Sequence, residues 1–193
     1  VCNAAASGSG GAQGVFACLD IDVPPPRSST CIYYGMSGPP PISEPVLVLN
    51  GENEISEESP STTTINNLCF PSIVSDSYAP EGKSLASVTV VGMASGTSDT
   101  SLDQEVRKQL GEWFPQTVVD EWELLRIYRI PYAQPSQAVP YGAKGKPEKL
   151  QDNLYVCGDY RGTATLNGAM ETGRKAALAY LRDQKLEQEF LSA

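Results

Sequence analysis

The stretch that most restricts how this chain can fold is residues 153–181, NLYVCGDYRGTATLNGAMETGRKAALAYL. Residues 154–157 are a short apolar run suited to a buried strand, expected to be parallel and central. The run stops at Gly158-Asp159, a loop follows over 160–165, and a helix begins near Leu166 or Asn167. Glycine inside a helix costs roughly 1 kcal/mol against alanine, so Gly168 and Gly173 point to close approach rather than to helix propensity. A face of Ala169, Gly173, Ala176 and Ala177 would let the helix axis come near a sheet or a ligand. A strand ending in Gly-Asp sets a carboxylate at the C-terminal edge of a sheet, where open α/β folds take their ligands. The glycine lets a cofactor chain pass the backbone, and the aspartate can accept hydrogen bonds from sugar-like hydroxyls. Free helix-start amides at residues 167–170 would suit an anion or an electron-rich carbonyl. Two readings stand at this point: a nucleotide or cofactor site, or a βα unit whose glycines serve packing.

Composition removes several chemistries. The sequence contains no histidine, which takes away the commonest general base and the commonest metal ligand. Ser-His-Asp and His-based zinc chemistry are therefore excluded within these 193 residues. A formal net charge of −9 repels phosphate backbones, so no nucleic-acid partner is expected. Cysteines at 2, 18, 31, 69 and 157 form no CxxC pair. They are read as scattered reduced thiols, with no metal site. No apolar run approaches the ~20 residues that span a bilayer, and no signal-peptide pattern is present, so neither a transmembrane segment nor secretion is expected. The first residue is Val1, which suits a processed product, a fragment or part of a longer polypeptide.

Residues 1–27 read as a flexible Gly/Pro-rich lead-in. The glycines at 8, 10, 11 and 14 lack GxGxxG spacing, no β-branched strand precedes them, and Pro24, Pro25 and Pro26 interrupt any following helix. A dinucleotide loop needs strand, tight turn and helix in that order. Strands are expected over 30–34, 46–49, 65–70 and 85–91, in a mostly antiparallel meander, with Pro39, Pro40 and Pro41 as a turn and 51–64 as a solvated acidic loop. A helix over about 101–114 follows from the stripe Leu102, Val106, Leu110, Trp113 and Phe114. A Ser101–Gln104 capping box starts it and Pro115 ends it. Its polar side, Asp103, Glu105 and Lys108, reads as an ordinary solvated face. A short helical segment near 117–120, a strand over 122–130 ending at Pro131, and a surface loop over 139–152 complete the series.

The run CGDYRGTATLNGAMETGRKAA resembles the C-terminal FAD motif of the flavin-containing amine oxidase superfamily, which includes phytoene desaturases and protoporphyrinogen oxidases. The family pattern is a strand, Gly-Asp or Gly-Glu, a short loop, then Gly-Ala-x-x-Ser/Thr-Gly-Arg-x-Ala-Ala. Here it falls on Gly158, Asp159, Gly168, Ala169, Thr172, Gly173, Arg174, Ala176 and Ala177. The stretches INNLCFPSIVSDSYAPEGKSLASVTVVG and WELLRIYRIPYAQPSQ resemble substrate-domain strands and the pre-flavin strand of plant and cyanobacterial members. The resemblance covers roughly residues 28–182. It implies an α+β fold, a piece of an α/β superfamily. A mostly antiparallel substrate-domain sheet over 28–138 precedes the loop at 139–152, and the C-terminal strand and helix of an FAD-binding domain occupy 153–193. It implies FAD as the cofactor, with Asp159 at the ribityl chain or pyrophosphate and with Leu166, Asn167, Gly168 and Ala169 at the flavin ring. Tyr132 and Gln137 become substrate-pocket candidates. No catalytic residue is assigned, and none of Lys83, Lys108, Lys144, Lys146 and Lys149 stands out as a flavin-side lysine.

Family members bind the ADP half of FAD through an N-terminal βαβ unit with GxGxxG, which these residues lack. The resemblance therefore implies that this chain alone binds FAD weakly or not at all, and that its partner is the missing N-terminal half or another protein chain. Two functions follow. One is the C-terminal portion of an FAD-dependent oxidoreductase acting on an unknown small molecule. The other is a non-catalytic family member acting as a structural or assembly subunit of a larger complex. The plant and cyanobacterial likeness suggests a plastid, and otherwise the cytoplasm.

Overall fold

The computed structural model describes residues 24–51, 65–94, 96–137 and 147–186. The expectations for residues 1–23, for the acidic loop over 52–64 and for 138–146 lie outside them. The chain divides into two compact units, Ser28–Ala133, and Val1–Arg27 with Gln134–Ala193. Each is described by itself.

The first unit is built on a five-stranded sheet of order β2-β3-β4-β1-β5. Its strands are β1 (Pro26–Ser37), β2 (Leu47–Leu49), β3 (Ile65–Cys69), β4 (Lys83–Val91) and β5 (Glu123–Pro135). Side chains alternate across a strand, and the sequence exploits this. Thr30, Ile32, Tyr34 and Met36 of β1, with Ser84, Ala86, Val88 and Val90 of β4, are buried. Pairing is antiparallel, with Ile32 opposite Val88 and Tyr34 opposite Ala86. β2, β3 and β4 do run as an antiparallel meander. The four-strand meander expected from sequence is corrected by β1, which lies inside the sheet between β4 and β5. β2 has 3 residues and takes one margin of the sheet, where a very short strand leaves little unpaired backbone. β5 runs on through Pro131 to Pro135 rather than stopping at Pro131. It is the last strand in the order, where a residue without an N–H can be tolerated.

Across the buried face lies α2 (Asp99–Trp113), which follows the one-turn helix α1 (Pro71–Val74) in the chain. Leu102, Val106 and Leu110 are fully buried, each contributing about 1.5–3 kcal/mol of hydrophobic burial. The helix starts earlier than expected. Ser98 is its N-cap, with Oγ accepting from the Ser101 amide at 3.1 Å, so Ser101 already sits in the first turn. The solvated-face expectation also fails at Asp103. Tyr34, fully buried, donates its hydroxyl to Asp103 Oδ1 at 2.8 Å. Arg107 Nε reaches both Asp103 oxygens at 3.0 Å. The other arms of Arg107 donate to the carbonyls of Val119 and Trp122 at 2.7 Å each. Arg107 thus ties α2 to α3 (Gln116–Asp120) and to the residue before β5. Burial holds the Tyr34 phenol far above its ordinary pKa, with the Asp103 hydrogen bond adding to it.

The second unit pairs β6 (Lys149–Gln151) with β7 (Leu154–Tyr155) in an antiparallel hairpin. This corrects two expectations: residues 154–157 are not a parallel central strand among the described residues, and 149–151 are not loop. The Asp152-Asn153 turn, with Asn153 at φ 62, folds the chain back locally; asparagine tolerates that conformation better than most residues. The hairpin is tied to the end of α4 (Leu166–Asp183). Lys149 Nζ bridges Asp152 at 3.1 Å and Asp183 at 2.8 Å. Tyr155 donates its hydroxyl to Asp183 and meets Tyr180 edge-on at 5.8 Å. The described residues thus combine helices with antiparallel sheet.

Candidate functional site

The site is built where β7 runs out and α4 begins. After Val156 and Cys157 the chain reaches Gly158, whose φ of 150 lies where side chains are rarely accommodated. A Cβ there would lie 2.6 Å from the Tyr160 ring. A one-turn 3-10 segment, Asp159–Arg161, follows. It opens on the Asp159 carboxylate, which is half-buried and has no hydrogen-bond partner among the described residues. Thr165 then caps α4, its Oγ1 accepting from Gly168 N at 3.0 Å.

One side chain fastens the two halves together. Thr172 Oγ1 accepts from Gly158 N at 3.1 Å and lies 3.0 Å from both Gly158 O and Ala169 O. A hydroxyl has one proton, so it donates to one of these two carbonyls at a time. Either way the Gly158 amide is held to the first turns of α4. The motif includes Thr172, yet the sequence reading gave it no role. The cue available in the sequence was a hydroxyl residue on the same helical stripe as Gly168 and Ala176.

That stripe corrects the expected small-residue face. The buried positions of α4 are Gly168, Thr172 and Ala176, whereas Ala177 is exposed and Gly173 has open space where a Cβ would be. The close approach occurs at Gly168, where a Cβ would meet the Thr163 carbonyl oxygen at 2.0 Å. The helix-start amides are also fewer than expected. Gly168 N is taken by Thr165 Oγ1 and Ala169 N by Thr165 O, and helical register gives Met170 N the Leu166 carbonyl. Leu166 and Asn167 N–H remain without a partner among the described residues. Beside them Leu166 and Met170 stand 78% and 66% exposed, an unusual position for large apolar side chains one helical turn apart.

On another side of the same helix, Val156, Arg161, Thr163, Asn167, Gly168 and Lys175 help line a cavity of about 380 Å³. Asn167 and Gly168 thus border the cavity, but Gly158, Asp159, Leu166 and Ala169 do not. Arg161 gives one arm to Pro147 O at 2.6 Å, and its Nε is enclosed with no partner among the described residues. Glu171 is held below the usual carboxylate range by hydrogen bonds from Arg174, helped by Lys175. Of the substrate-pocket candidates, Tyr132 is half-buried on β5 and Gln137 is exposed just beyond its end. Cys31 and Cys69 are half-buried, Cys157 is exposed, and all three are free thiols. No group of three or more acidic or thiol ligands suited to a metal occurs among the described residues. No helix among them is long and apolar enough to cross a membrane.

Known proteins share this architecture. A crystal structure of reduced UDP-galactopyranose mutase overlays with a TM-score of 0.55 at 17% identity, covering 86% of this chain and 35% of its own. An oxidoreductase from Methanosarcina mazei gives a TM-score of 0.50 at 18% identity, covering 90% and 39%. The PF1083 protein of Pyrococcus furiosus gives 0.50 at 19%, covering 83% and 34%. At these identities the likeness is one of fold, and the chain spans little more than a third of the length of each. No curated protein matches the sequence. The profile of the flavin containing amine oxidoreductases matches residues 27–179, which take in the sheet, the Gly-Asp turn and nearly all of α4. The chain belongs to the flavin containing amine oxidoreductase family.

Proposed function

We propose that this chain supplies the flavin-ring end of an FAD site in an oxidoreductase of plant or cyanobacterial type, and corresponds to the C-terminal part of such an enzyme. The observation that carries the proposal is the Thr172 clamp on Gly158, which fixes a carboxylate-bearing turn beside a helix start that has amides to spare. Asp159, unpartnered and half-buried, accepts from the ribityl hydroxyls or lies near the pyrophosphate. The Leu166 and Asn167 amides face the electron-rich edge of the ring, and Gly168 and Ala169 allow it to come close. The exposed Leu166 and Met170 supply apolar contact to a flat ligand. Flavin, when bound, supplies the hydride chemistry. The protein's task is to orient the ring and to hold negative charge on it through backbone dipoles. Tyr132 and Gln137 contribute to the substrate side. The ADP half is held by polypeptide outside these residues, an N-terminal half or another chain, and a plastid is the proposed location.

Riboflavin and FAD titrations, followed by quenching of flavin fluorescence, test this. Both ligands should bind the chain weakly and with similar affinity, because the contacts supplied are to the ring and ribityl chain. Sub-micromolar FAD affinity would show that the ADP half is held here too. Loss of all flavin binding in a folded chain would remove the flavin proposal and leave the non-catalytic subunit.

A further inference from the structure

One face of the sheet is covered by α2. On the other, Cys31, Tyr33 and Leu85 form the floor of a groove of about 540 Å³, and Leu125, Arg126, Tyr128 and Ile130 of β5 form its wall. The volume lies within the range of small-molecule sites. Leu125 leans over Gly35, where a Cβ would be 3.3 Å from Leu125 Cδ2, and Tyr33 meets Tyr128 edge-on at 5.9 Å. The wall side chains nonetheless stay open: Leu125, Tyr128 and Ile130 are 50%, 47% and 40% exposed. Exposed apolar surface of this extent marks a place where something binds.

Charge decides what kind of molecule it takes. The chain carries 23 acidic residues against 14 basic ones, yet the described residues that line the groove include one guanidinium and no carboxylate. Arg126 rests over the Tyr128 ring, 5.3 Å from its centroid, and its N–H donors have no hydrogen-bond partner among the described residues. The Tyr33 phenol is raised above its ordinary pKa by its hydrogen bond with Cys31 and by burial, so it stays neutral. Near the floor, Cys31 Sγ and Ser87 Oγ lie 3.5 Å apart, a weakly polar spot in apolar surroundings. An alkylamine would set its ammonium beside Arg126 with no counter-charge.

We propose that this groove binds an apolar molecule carrying a carboxylate or similar anion, with the anion on Arg126 and the hydrocarbon along Leu85, Leu125 and Ile130. Naming that molecule the substrate rests on the flavin oxidoreductase reading; the binding itself does not.

Isothermal titration of the chain with dodecanoate and with dodecylamine, both below their micelle concentrations and in moderate salt, tests it. Dodecanoate should bind about tenfold more tightly or better, the ratio expected from one net charge-assisted hydrogen bond. Arg126→Gln should abolish that preference, and Tyr128→Ala should weaken both ligands. Both positions are exposed, and far-UV circular dichroism of each variant checks that it folds. Equal or tighter binding of the amine, or a preference that survives Arg126→Gln, overturns the proposal. Riboflavin titrated into the parent chain keeps the two proposals apart. No dodecanoate preference in the parent chain with riboflavin bound counts against the groove alone, and a dodecanoate preference without riboflavin binding counts against the flavin site alone.

Discussion

Two glycines on α4 should respond to alanine in opposite directions. Alanine is favoured over glycine in a helix interior by about 1 kcal/mol, so propensity alone stabilises both variants. At Gly168 the new Cβ would lie 2.0 Å from Thr163 O, 2.6 Å from Thr163 Oγ1 and 2.9 Å from the Thr163 carbonyl carbon. Two of those three atoms are backbone, so no rotamer change relieves the clash and residues 163–165 must shift. Overpacking of this kind costs about 1–3 kcal/mol. The shift also loosens the Thr165 cap, worth about 1 kcal/mol. Set against the propensity gain, Gly168→Ala should destabilise the helix unit by about 1–3 kcal/mol. At Gly173 nothing lies within 4 Å of the added carbon, so Gly173→Ala should stabilise it by about 0.5–1 kcal/mol. Trp113 and Trp122 both belong to the sheet unit, so tryptophan fluorescence does not follow this change. Urea unfolding read by far-UV circular dichroism, with hydrogen exchange of the α4 amides, does. A Gly168→Ala variant as stable as the parent would refute the close-approach geometry, and a destabilised Gly173→Ala would refute the open face.

The sheet unit offers a second measurement. Arg107→Ala breaks a pair whose side chains are each 19% exposed and strands two carbonyls. It should cost about 3 kcal/mol, the lower end for a broken buried ion pair, read by tryptophan fluorescence in urea; a loss below about 1 kcal/mol, the range of surface pairs, would contradict it. Thr172→Val keeps the shape and deletes the hydroxyl. Riboflavin affinity should fall, and Thr172→Ser should restore it; equal affinities in all three proteins would exclude the clamp from the site. Asp183 is held below the usual carboxylate range by hydrogen bonds from Lys149 and Tyr155. A lowered folded pKa means that its contribution is complete above the unfolded value, ~3.9, and disappears as pH falls through the folded value. NMR titration of the Asp183 carboxyl should show the low midpoint, and Asp183→Asn should speed hydrogen exchange at the end of α4; an ordinary midpoint would remove the hairpin clasp.

The sequence was most legible where one local period dominates. β1 and β4 alternate, and Leu102, Val106 and Leu110 repeat at helical spacing, so these elements were found with boundaries only a few residues out. It was least legible where a partner distant in sequence decides. That β1 enters the sheet between β4 and β5 depends on pairings that, with β4 alone, reach residues 46 to 62 positions later, and no window of sequence holds both strands. Asp103 looked solvated because its neighbours on the helix are polar, whereas its environment is set by Tyr34 from the opposite layer. The 154–157 run has the composition of a buried strand, but the Asp152-Asn153 turn joins it to 149–151 first. The Gly-Asp turn was recognisable from spacing. The role of Thr172 was not, because it depends on a hydrogen bond across 14 residues.

The apolar surface left exposed in each unit carries a common implication. On α4, helical spacing could have been met by burying Leu166 and Met170, yet the buried stripe is made of Gly168, Thr172 and Ala176, and the two large side chains stand out in solvent. On the sheet, Leu125, Tyr128 and Ile130 stand out likewise, while the opposite face is filled by α2. A fold selected for stability alone would hide its large apolar groups and show its small and polar ones. The reversal is costly in both units, and in both it falls beside unused hydrogen-bonding groups: the Leu166 and Asn167 amides in one, the Arg126 guanidinium in the other. Apolar surface next to unused donors is what a molecule with a flat or greasy body and an electron-rich end requires. That pairing, repeated on two unrelated elements, is the surface on which both proposed binding sites rest.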